Sequence, residues 1–117
     1  MSDPATIRRL YGRAKGHKVR QGQSALVEQL LPALSVPDEG EITSAGLFGH
    51  DRPLHFEIGF GSGEHLADRA DMLPDHAFIG CEPFINGVPT ALGHVRDKHL
   101  RNVRIWKGDA LEVLARV

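Results

Sequence analysis

The chain contains little cysteine and no long apolar run, and each absence excludes a class of protein. Cys81 is the single cysteine among 117 residues, so no disulfide framework can form, and a reducing cytoplasm is the expected location. No apolar stretch approaches the roughly 20 residues of a membrane span, and none resembles the core of a signal peptide. Hydrophobic residues make up 41% and charged residues 25% of the chain, as expected for one soluble globular domain with no membrane partner.

Residue spacings that bind metals are also missing. The seven histidines include no His-x-x-x-His and no His-x-His pair, and Cys81 has no second cysteine at Cys-x-x-Cys spacing. We therefore predict scattered surface histidines and no metal site.

Acidic residues are scarce at the beginning of the chain, although the whole chain has a net charge of only −1. Residues 1–22 contain one acid and six bases, a local net charge of +5. The bases are Arg8, Arg9, Arg13, Lys15, Lys18 and Arg20. This composition predicts a basic arm over residues 1–23, either flexible or ordered by a polyanionic partner, followed by a folded body over residues 24–117. A solvated tail and a mitochondrial transit peptide are the alternatives.

Residues 54–66 predict a buried strand, then a glycine turn, then the start of a helix. Leu54, Phe56 and Ile58 alternate with polar residues, and a proline and a glycine bound the run. The turn glycines are Gly59, Gly61 and Gly63. They leave one edge of the turn without Cβ atoms, so a ligand can approach the backbone there. Glu64 opens the helix, where a carboxylate suits the positive end of the helix dipole.

The turn has the pattern Glu-x-Gly-x-Gly-x-Gly, which differs from the dinucleotide fingerprint Gly-x-Gly-x-x-Gly. That fingerprint requires glycine at position 64 or 66, where Glu64 and Leu66 stand. Glu64 would also repel a pyrophosphate at the helix N-terminus, so the pattern disfavours an NAD-dependent oxidoreductase. A ligand with a positive centre and no phosphate, such as S-adenosylmethionine, fits better. An ordinary strand-to-helix turn is the alternative.

The rest of the body predicts alternating helices and strands. We expect Ser24 to cap a short helix over residues 25–31, which Pro32 ends or bends, and residues 35–53 to form a surface loop anchored by Leu47 and Phe48. The later expected elements are a helix Glu64–Met72, a strand Ala77–Cys81, a helix that starts late at Pro89, a strand Val103–Lys107 and a helix Leu111–Arg116. Strand, helix and strand in this order indicate βαβ units, and therefore an α/β fold with a parallel sheet.

Three acids follow or end three successive predicted strands. They are Glu57, Glu82 and Asp109, and each precedes a turn into a helix. Because the carboxyl ends of parallel strands meet at the same edge of a sheet, the three carboxylates should line one side of a cleft for a ligand rich in NH and OH groups. Glu82 lies 19 residues after Gly63, where an acid accepts hydrogen bonds from ribose hydroxyls. The alternative for Glu82 alone is an acid at a helix start.

These residues resemble the bacterial tRNA (guanine-N7-)-methyltransferase family. The resemblance rests on Glu57–Leu66, Gly80–Val88, Asn102–Arg104 and Gly108–Ala110. It implies a class I (Rossmann-like) methyltransferase fold with a doubly wound, mostly parallel sheet, of which this chain holds only the first half. It also implies transfer of a methyl group from S-adenosylmethionine to N7 of a guanosine in the variable loop of tRNA.

The resemblance assigns the site residues as well. It implies that Glu57 faces the methionine end of S-adenosylmethionine, that Glu82 faces the ribose, and that Asp109 faces the adenine amino group. Gly59, Gly61 and Gly63 form the cofactor turn. For the basic arm it implies tRNA as the partner, with Arg13, Lys15, Lys18 and Arg20 as candidate RNA-binding residues.

The resemblance leaves the catalytic residues beyond Val117. The family's Pro-Asp-Pro-Trp-type segment has no counterpart in this sequence, so we expect the 117-residue chain by itself to be inactive. Its first strand, which lies inside the complete sheet of the family, should form an exposed edge. The alternative function is a non-catalytic fragment that binds S-adenosylmethionine or RNA.

Overall fold

The computed structural model describes the backbone of residues 13–117 and the side chains of residues 24–117. In chain order its elements are α1 (Arg13–Leu34), α2 (Ser44–Phe48), β1 (Leu54–Ile58), α3 (Glu64–Met72), β2 (Ala77–Cys81), a 3₁₀ turn (Ile85–Gly87), α4 (Val88–Asp97), β3 (Val103–Trp106) and α5 (Ala110–Leu114). None of the helices in this described part is long and apolar enough to cross a membrane.

The three strands form one parallel sheet in the order β1-β2-β3. β2 lies in the centre, and all five of its residues are buried, as expected for a parallel strand covered on both faces. Ile58, Cys81 and Trp106 are register partners. The carboxyl ends of the three strands therefore meet at one edge, which we call the carboxyl edge.

Helices and loops cover the two faces of the sheet with separate apolar clusters. On one face, Phe78 of β2 and Ile105 of β3 pack with side chains of α1, α3 and α4. On the other face, Ile79 packs with α5 and with the segment after α1, through Val113 and Ile42. This is the α/β arrangement that the sequence predicts, with parallel strands between two helical layers.

The bounds of the central βαβ unit agree with the predictions. β1, α3 and β2 begin and end at the expected residues, and a proline and a glycine bound the first two of them. β3 ends one residue before its predicted end, and α5 is shifted toward Ala110. α4 begins at Val88 with Pro89 in its first turn, where the missing N–H of proline costs nothing, so the late helix start is confirmed.

Two predictions for the segment before the sheet are wrong in their bounds. The helix expected to begin at Ser24 begins at Arg13, so α1 crosses the boundary expected at residue 23. Most of its first eleven residues are good helix formers. Each glycine among them lowers the stability of the helix by about 1 kcal/mol relative to alanine, and this cost is outweighed. α1 also continues past Pro32 to Leu34, and the hydroxyl of Ser35 donates a hydrogen bond to the carbonyl of Leu31 at 2.6 Å.

The loop over residues 35–53 contains the short helix α2, which the sequence did not predict. The anchoring role of Leu47 and Phe48 is confirmed, since Leu47 packs against the second apolar cluster. The guanidinium of Arg104 lies 4.5 Å from the centre of the Phe48 ring, and it donates to the carbonyl of Leu47 at 3.0 Å.

β1 is a half-buried edge strand and not the buried strand that its apolar alternation suggests. Leu54 and Phe56 pack against the second cluster, but the side chain of Ile58 is 63% exposed. Within the described residues β1 has a hydrogen-bonded neighbour on one side only, which explains the exposure. The expected exposed edge at the first strand is therefore present.

A buried asparagine ties the end of α3 to the beginning of β3. The side-chain amide nitrogen of Asn102 lies 2.9–3.0 Å from the carbonyl oxygens of Ala70, Leu73 and His76. The carbonyl of Ala70 has no helical donor, because the residue four positions later is Pro74, which has no N–H. Asn102 is 4% exposed, so it supplies a donor where water is excluded.

We predict that Asn102→Ala lowers the free energy of unfolding by about 1–3 kcal/mol, because it leaves buried carbonyl groups without a donor. Urea unfolding followed by circular dichroism measures the change. The exposed Asn86 is the matched control, and Asn86→Ala should change stability by less than about 0.5 kcal/mol. Equal effects of the two substitutions would contradict the role of the Asn102 amide.

Candidate functional site

The glycine turn connects β1 to α3 at the carboxyl edge. Gly59, Gly61 and Gly63 have φ angles of 71°, 60° and 85°, a region that residues with a Cβ rarely adopt. A Cβ at Gly59 or Gly61 would meet no atom within 4 Å, whereas a Cβ at Gly63 would lie 2.5 Å from the Cβ of Ala91 in α4. The first two glycines therefore leave an open surface, and the third allows α3 and α4 to pack closely.

Glu82 follows β2 and lies at the centre of the carboxyl edge. It is 6% exposed, and its two carboxylate oxygens accept hydrogen bonds from backbone N–H groups. Oε1 accepts from Gly61 at 2.7 Å, and Oε2 accepts from Phe84 at 3.2 Å. Hydrogen bonds to an ionised acceptor are strong and offset part of the cost of burying a charge. Glu82 thus joins the glycine turn to the loop before α4.

Glu57 lies near the end of β1, in register with Gly80 of β2. Its Oε1 lies 2.9 Å from Nδ1 of His65, which belongs to the first turn of α3. The carboxylate side chain is 20% exposed and the imidazole 72%. This pair connects the two ends of the glycine turn on the side that faces solvent.

Asp109 precedes α5 and caps it. Its Oδ1 accepts a hydrogen bond from the N–H of Leu111 at 2.9 Å, as expected for an aspartate at this position. Burial, and secondly the charge of Asp109, raise the pKa of the Cys81 thiol to about 11.

The structure brings the three predicted acids to one edge of the sheet but gives them different surroundings. Glu82 is buried between two loops, Glu57 is partly covered, and Asp109 is exposed. An ionised carboxylate has about four acceptor positions. Each of the three uses one or two of these positions within the protein, so each keeps capacity for NH or OH donors of a ligand.

Two contributors to this site were not predicted from the sequence. His65 contacts Glu57, and Gly87 packs against the glycine turn, where a Cβ would overlap the carbonyl oxygen of Gly61. Gly87 lies inside one of the sequence blocks that carry the family resemblance, but periodicity and spacing give a single glycine no role. Both contacts join residues that are separated in sequence, so only the folded chain reveals them.

The sequence suggested that the histidines are scattered on the surface, but two of them lie together and are half-buried. Nε2 of His55 lies 2.8 Å from Nδ1 of His76, and the His55 ring stacks on Phe78 with 4.6 Å between ring centres. Burial, followed by the nearby His76 and Arg69, lowers the pKa of His55. Among the residues that the structure describes, no group of three or more potential ligands lies together to hold a metal ion.

The candidate RNA-binding residues Arg13, Lys15, Lys18 and Arg20 belong by sequence to the first half of α1. Their side chains lie outside the part of the chain that the structure describes. Residues 1–12 of the predicted arm lie outside it entirely.

A parallel sheet that alternates with helices, with a glycine turn after β1 and acids along its carboxyl edge, defines a Rossmann-like α/β protein. A family profile described as a putative methyltransferase matches residues 51–117. Because the match covers more than half of the chain, the chain belongs to this methyltransferase family, whose members require a methyl donor.

Curated relatives agree with this assignment. The chain is 65% identical over 120 residues to a tRNA (guanine-N(7)-)-methyltransferase of Novosphingobium aromaticivorans. The aligned region covers 98% of this chain and 50% of the relative. Relatives of the same name from Sphingopyxis alaskensis and Zymomonas mobilis are 64% and 56% identical, with 98% and 96% of this chain and 51% and 48% of the relatives covered. The predicted family resemblance is confirmed, and the chain spans about half the length of the curated relatives it matches.

Proposed function

We propose that this chain is the cofactor-binding part of an enzyme that transfers a methyl group from S-adenosylmethionine to N7 of a guanosine in tRNA. The tRNA substrate and the N7 position are taken from the names of the relatives. The observation that carries the proposal is the carboxyl edge, where a buried glutamate holds an open glycine turn between two further acids.

The residues at this edge fit S-adenosylmethionine chemically. In this proposal the carboxylate of Glu82 accepts hydrogen bonds from the paired hydroxyls of a ribose, and Asp109 accepts from an amino group, because both carboxylates keep acceptor positions beyond those used within the protein. Glu57 adds negative charge beside the turn, which suits the ammonium and sulfonium groups of this cofactor. Glu64 at the beginning of α3 opposes a phosphate at the same place, and S-adenosylmethionine has none.

The proposed reaction requires orientation more than acid–base chemistry. The cofactor supplies a methyl group on a sulfonium, which is an excellent leaving group. Guanine N7 carries an in-plane lone pair at neutral pH, so no base has to remove a proton first. The residues of this chain then act by holding the methyl donor in a fixed position, and catalysis rests on proximity and alignment.

The direction of α1 supports tRNA as a partner of its basic half. Leu26 faces Gly93, whereas Leu30 and Leu34 lie beside Val95 and Leu100. α1 and α4 therefore run in the same direction, and α1 followed backward from Leu26 leads past the beginning of α4 toward the carboxyl edge. At 1.5 Å per residue, the helix continues for about 20 Å from Leu26 to its first residue, so its backbone reaches beyond the beginning of α4 on that side.

A methyl-transfer assay with labelled S-adenosylmethionine and unmodified tRNA tests the function. We expect no transfer by the 117-residue chain alone, and formation of N7-methylguanosine when the chain is joined to the part of the Novosphingobium relative that it does not span. A joined protein that folds but methylates no tRNA would contradict the proposed function. Transfer by the short chain would place the catalytic groups within residues 1–117.

We predict that Glu82→Ala weakens binding of S-adenosylmethionine by about 1.5–3 kcal/mol, because charge-assisted hydrogen bonds to the ligand are removed. Isothermal titration calorimetry measures the change in Kd. Asp75, an acid in the turn before β2 at the opposite edge of the sheet, provides the control, and Asp75→Ala should leave Kd unchanged. If Glu82→Ala binds as tightly as the unmodified chain, Glu82 is only an acid at a helix start and contributes nothing to cofactor binding.

We predict that replacing Arg13, Lys15, Lys18 and Arg20 with alanine weakens tRNA binding and reduces its salt dependence. The slope of log K against log salt concentration should fall by about 0.7–0.9 for each phosphate that the arm no longer neutralises. Replacing Arg96, Lys98 and Arg101 is the control, because neighbouring Asp68, Asp71 and Asp97 offset charge at that end of α4. An unchanged slope in the first variant would identify the arm as a solvated segment.

A further inference from the structure

Gly87 has a backbone conformation that any residue can adopt. It has φ −88° and ψ −14° immediately before α4, which lies in the allowed region for residues with a side chain. Glycine here lowers stability, because it leaves the unfolded chain more conformational freedom than alanine would. The backbone conformation therefore does not explain why residue 87 is a glycine.

The space around Gly87 supplies the explanation. A Cβ on Gly87 would overlap the carbonyl oxygen of Gly61, and it would lie 2.5 Å from the carbonyl carbon of Gly61 and 3.2 Å from the N of Ser62. These atoms are backbone atoms of the glycine turn, so no side chain can rotate away to make room. Only a residue without a Cβ lets the turn approach this closely.

The other side of Gly61 is held by the same loop. Its N–H donates to Oε1 of Glu82 at 2.7 Å, while its carbonyl rests against Gly87. The segment from Glu82 to Gly87 thus contacts both polar groups of Gly61, whose φ of 60° sets the course of the turn. Because Oε2 of Glu82 also accepts the N–H of Phe84, the glutamate is fixed in its turn by this segment.

We propose that Gly87 is a positioning residue of the methyl-donor site. Gly87 and Glu82 together hold the peptide groups of Gly61 and so set the shape of the glycine turn. The proposal rests on the function proposed above, because the ligand of the turn is the methyl donor. A methyl group added at Gly87 must displace the turn until ordinary contacts of 3.4–4 Å are restored. That displacement stretches the Gly61–Glu82 hydrogen bond and moves the surface that the donor contacts.

Gly93 provides a matched control within α4. A Cβ at Gly93 would lie 3.9 Å from Cδ1 of Leu26 and meet nothing closer, which is ordinary contact. Gly93→Ala therefore makes the same chemical change in the helix that follows Gly87, without touching the glycine turn. The effect of removing a glycine from the unfolded chain is common to both variants.

Amide hydrogen exchange by NMR and titration with S-adenosylmethionine test the proposal on the 117-residue chain. In the unmodified chain, the Gly61 amide should exchange at least about 10-fold more slowly than that of Ser62, whose N–H has no protein acceptor among the described residues. Gly87→Ala should remove this protection, leave the central-strand Ile79 amide protected, and raise the Kd for S-adenosylmethionine by about 10-fold or more. Gly93→Ala should change none of these quantities.

Two results would overturn the proposal. One is equal exchange of the Gly61 and Ser62 amides in the unmodified chain, which decides the matter even if Gly87→Ala does not fold. The other is a folded Gly87→Ala variant with unchanged Gly61 protection and unchanged Kd. If the unmodified chain binds no S-adenosylmethionine, the proposed function fails separately, and removal of Gly61 protection in Gly87→Ala still supports the positioning role.

Discussion

The hydrogen bond between the Gly61 N–H and the carboxylate of Glu82 is the contact on which the carboxyl edge depends. A carboxylate buried to this degree needs donors, and here they are the N–H groups of Gly61 and Phe84. Both donors belong to loops, so the cost of burying the charge is offset only while the two loops keep their shape. One buried side chain therefore fixes the segments after β1 and β2 together.

The position of Glu82 depends in turn on the packing of β2. Because apolar clusters cover both faces of this strand, its carboxyl end has a fixed place in the sheet. Gly80 contributes by its lack of a side chain, since a Cβ there would collide with the side chains of Leu66 and Phe60. The shape of the carboxyl edge thus depends on the close packing of α3 and the glycine turn on β2. A rigid edge suits a site whose proposed task is to orient the methyl donor.

Much of the fold could be predicted because its signals are local. Pro53 and Gly59 bound β1, and Pro74 stops α3. Between such residues, apolar alternation indicates a strand and apolar residues three or four positions apart indicate a helix. The order of strands and helices then implies a parallel sheet, which places acids at strand ends on one edge. The start of α1 could not be predicted in this way, because its first half lacks an apolar face and its glycines resemble breaks.

The sequence by itself determined the order and type of the elements of the sheet, the edge on which Glu57, Glu82 and Asp109 lie, and the family to which the chain belongs. Local propensity and strand direction are sufficient for these features. Only the tertiary structure decided that Glu82 is buried and that Gly87 contacts the glycine turn. Burial and close approach depend on which distant segments pack against a residue, and no local pattern in the sequence encodes that.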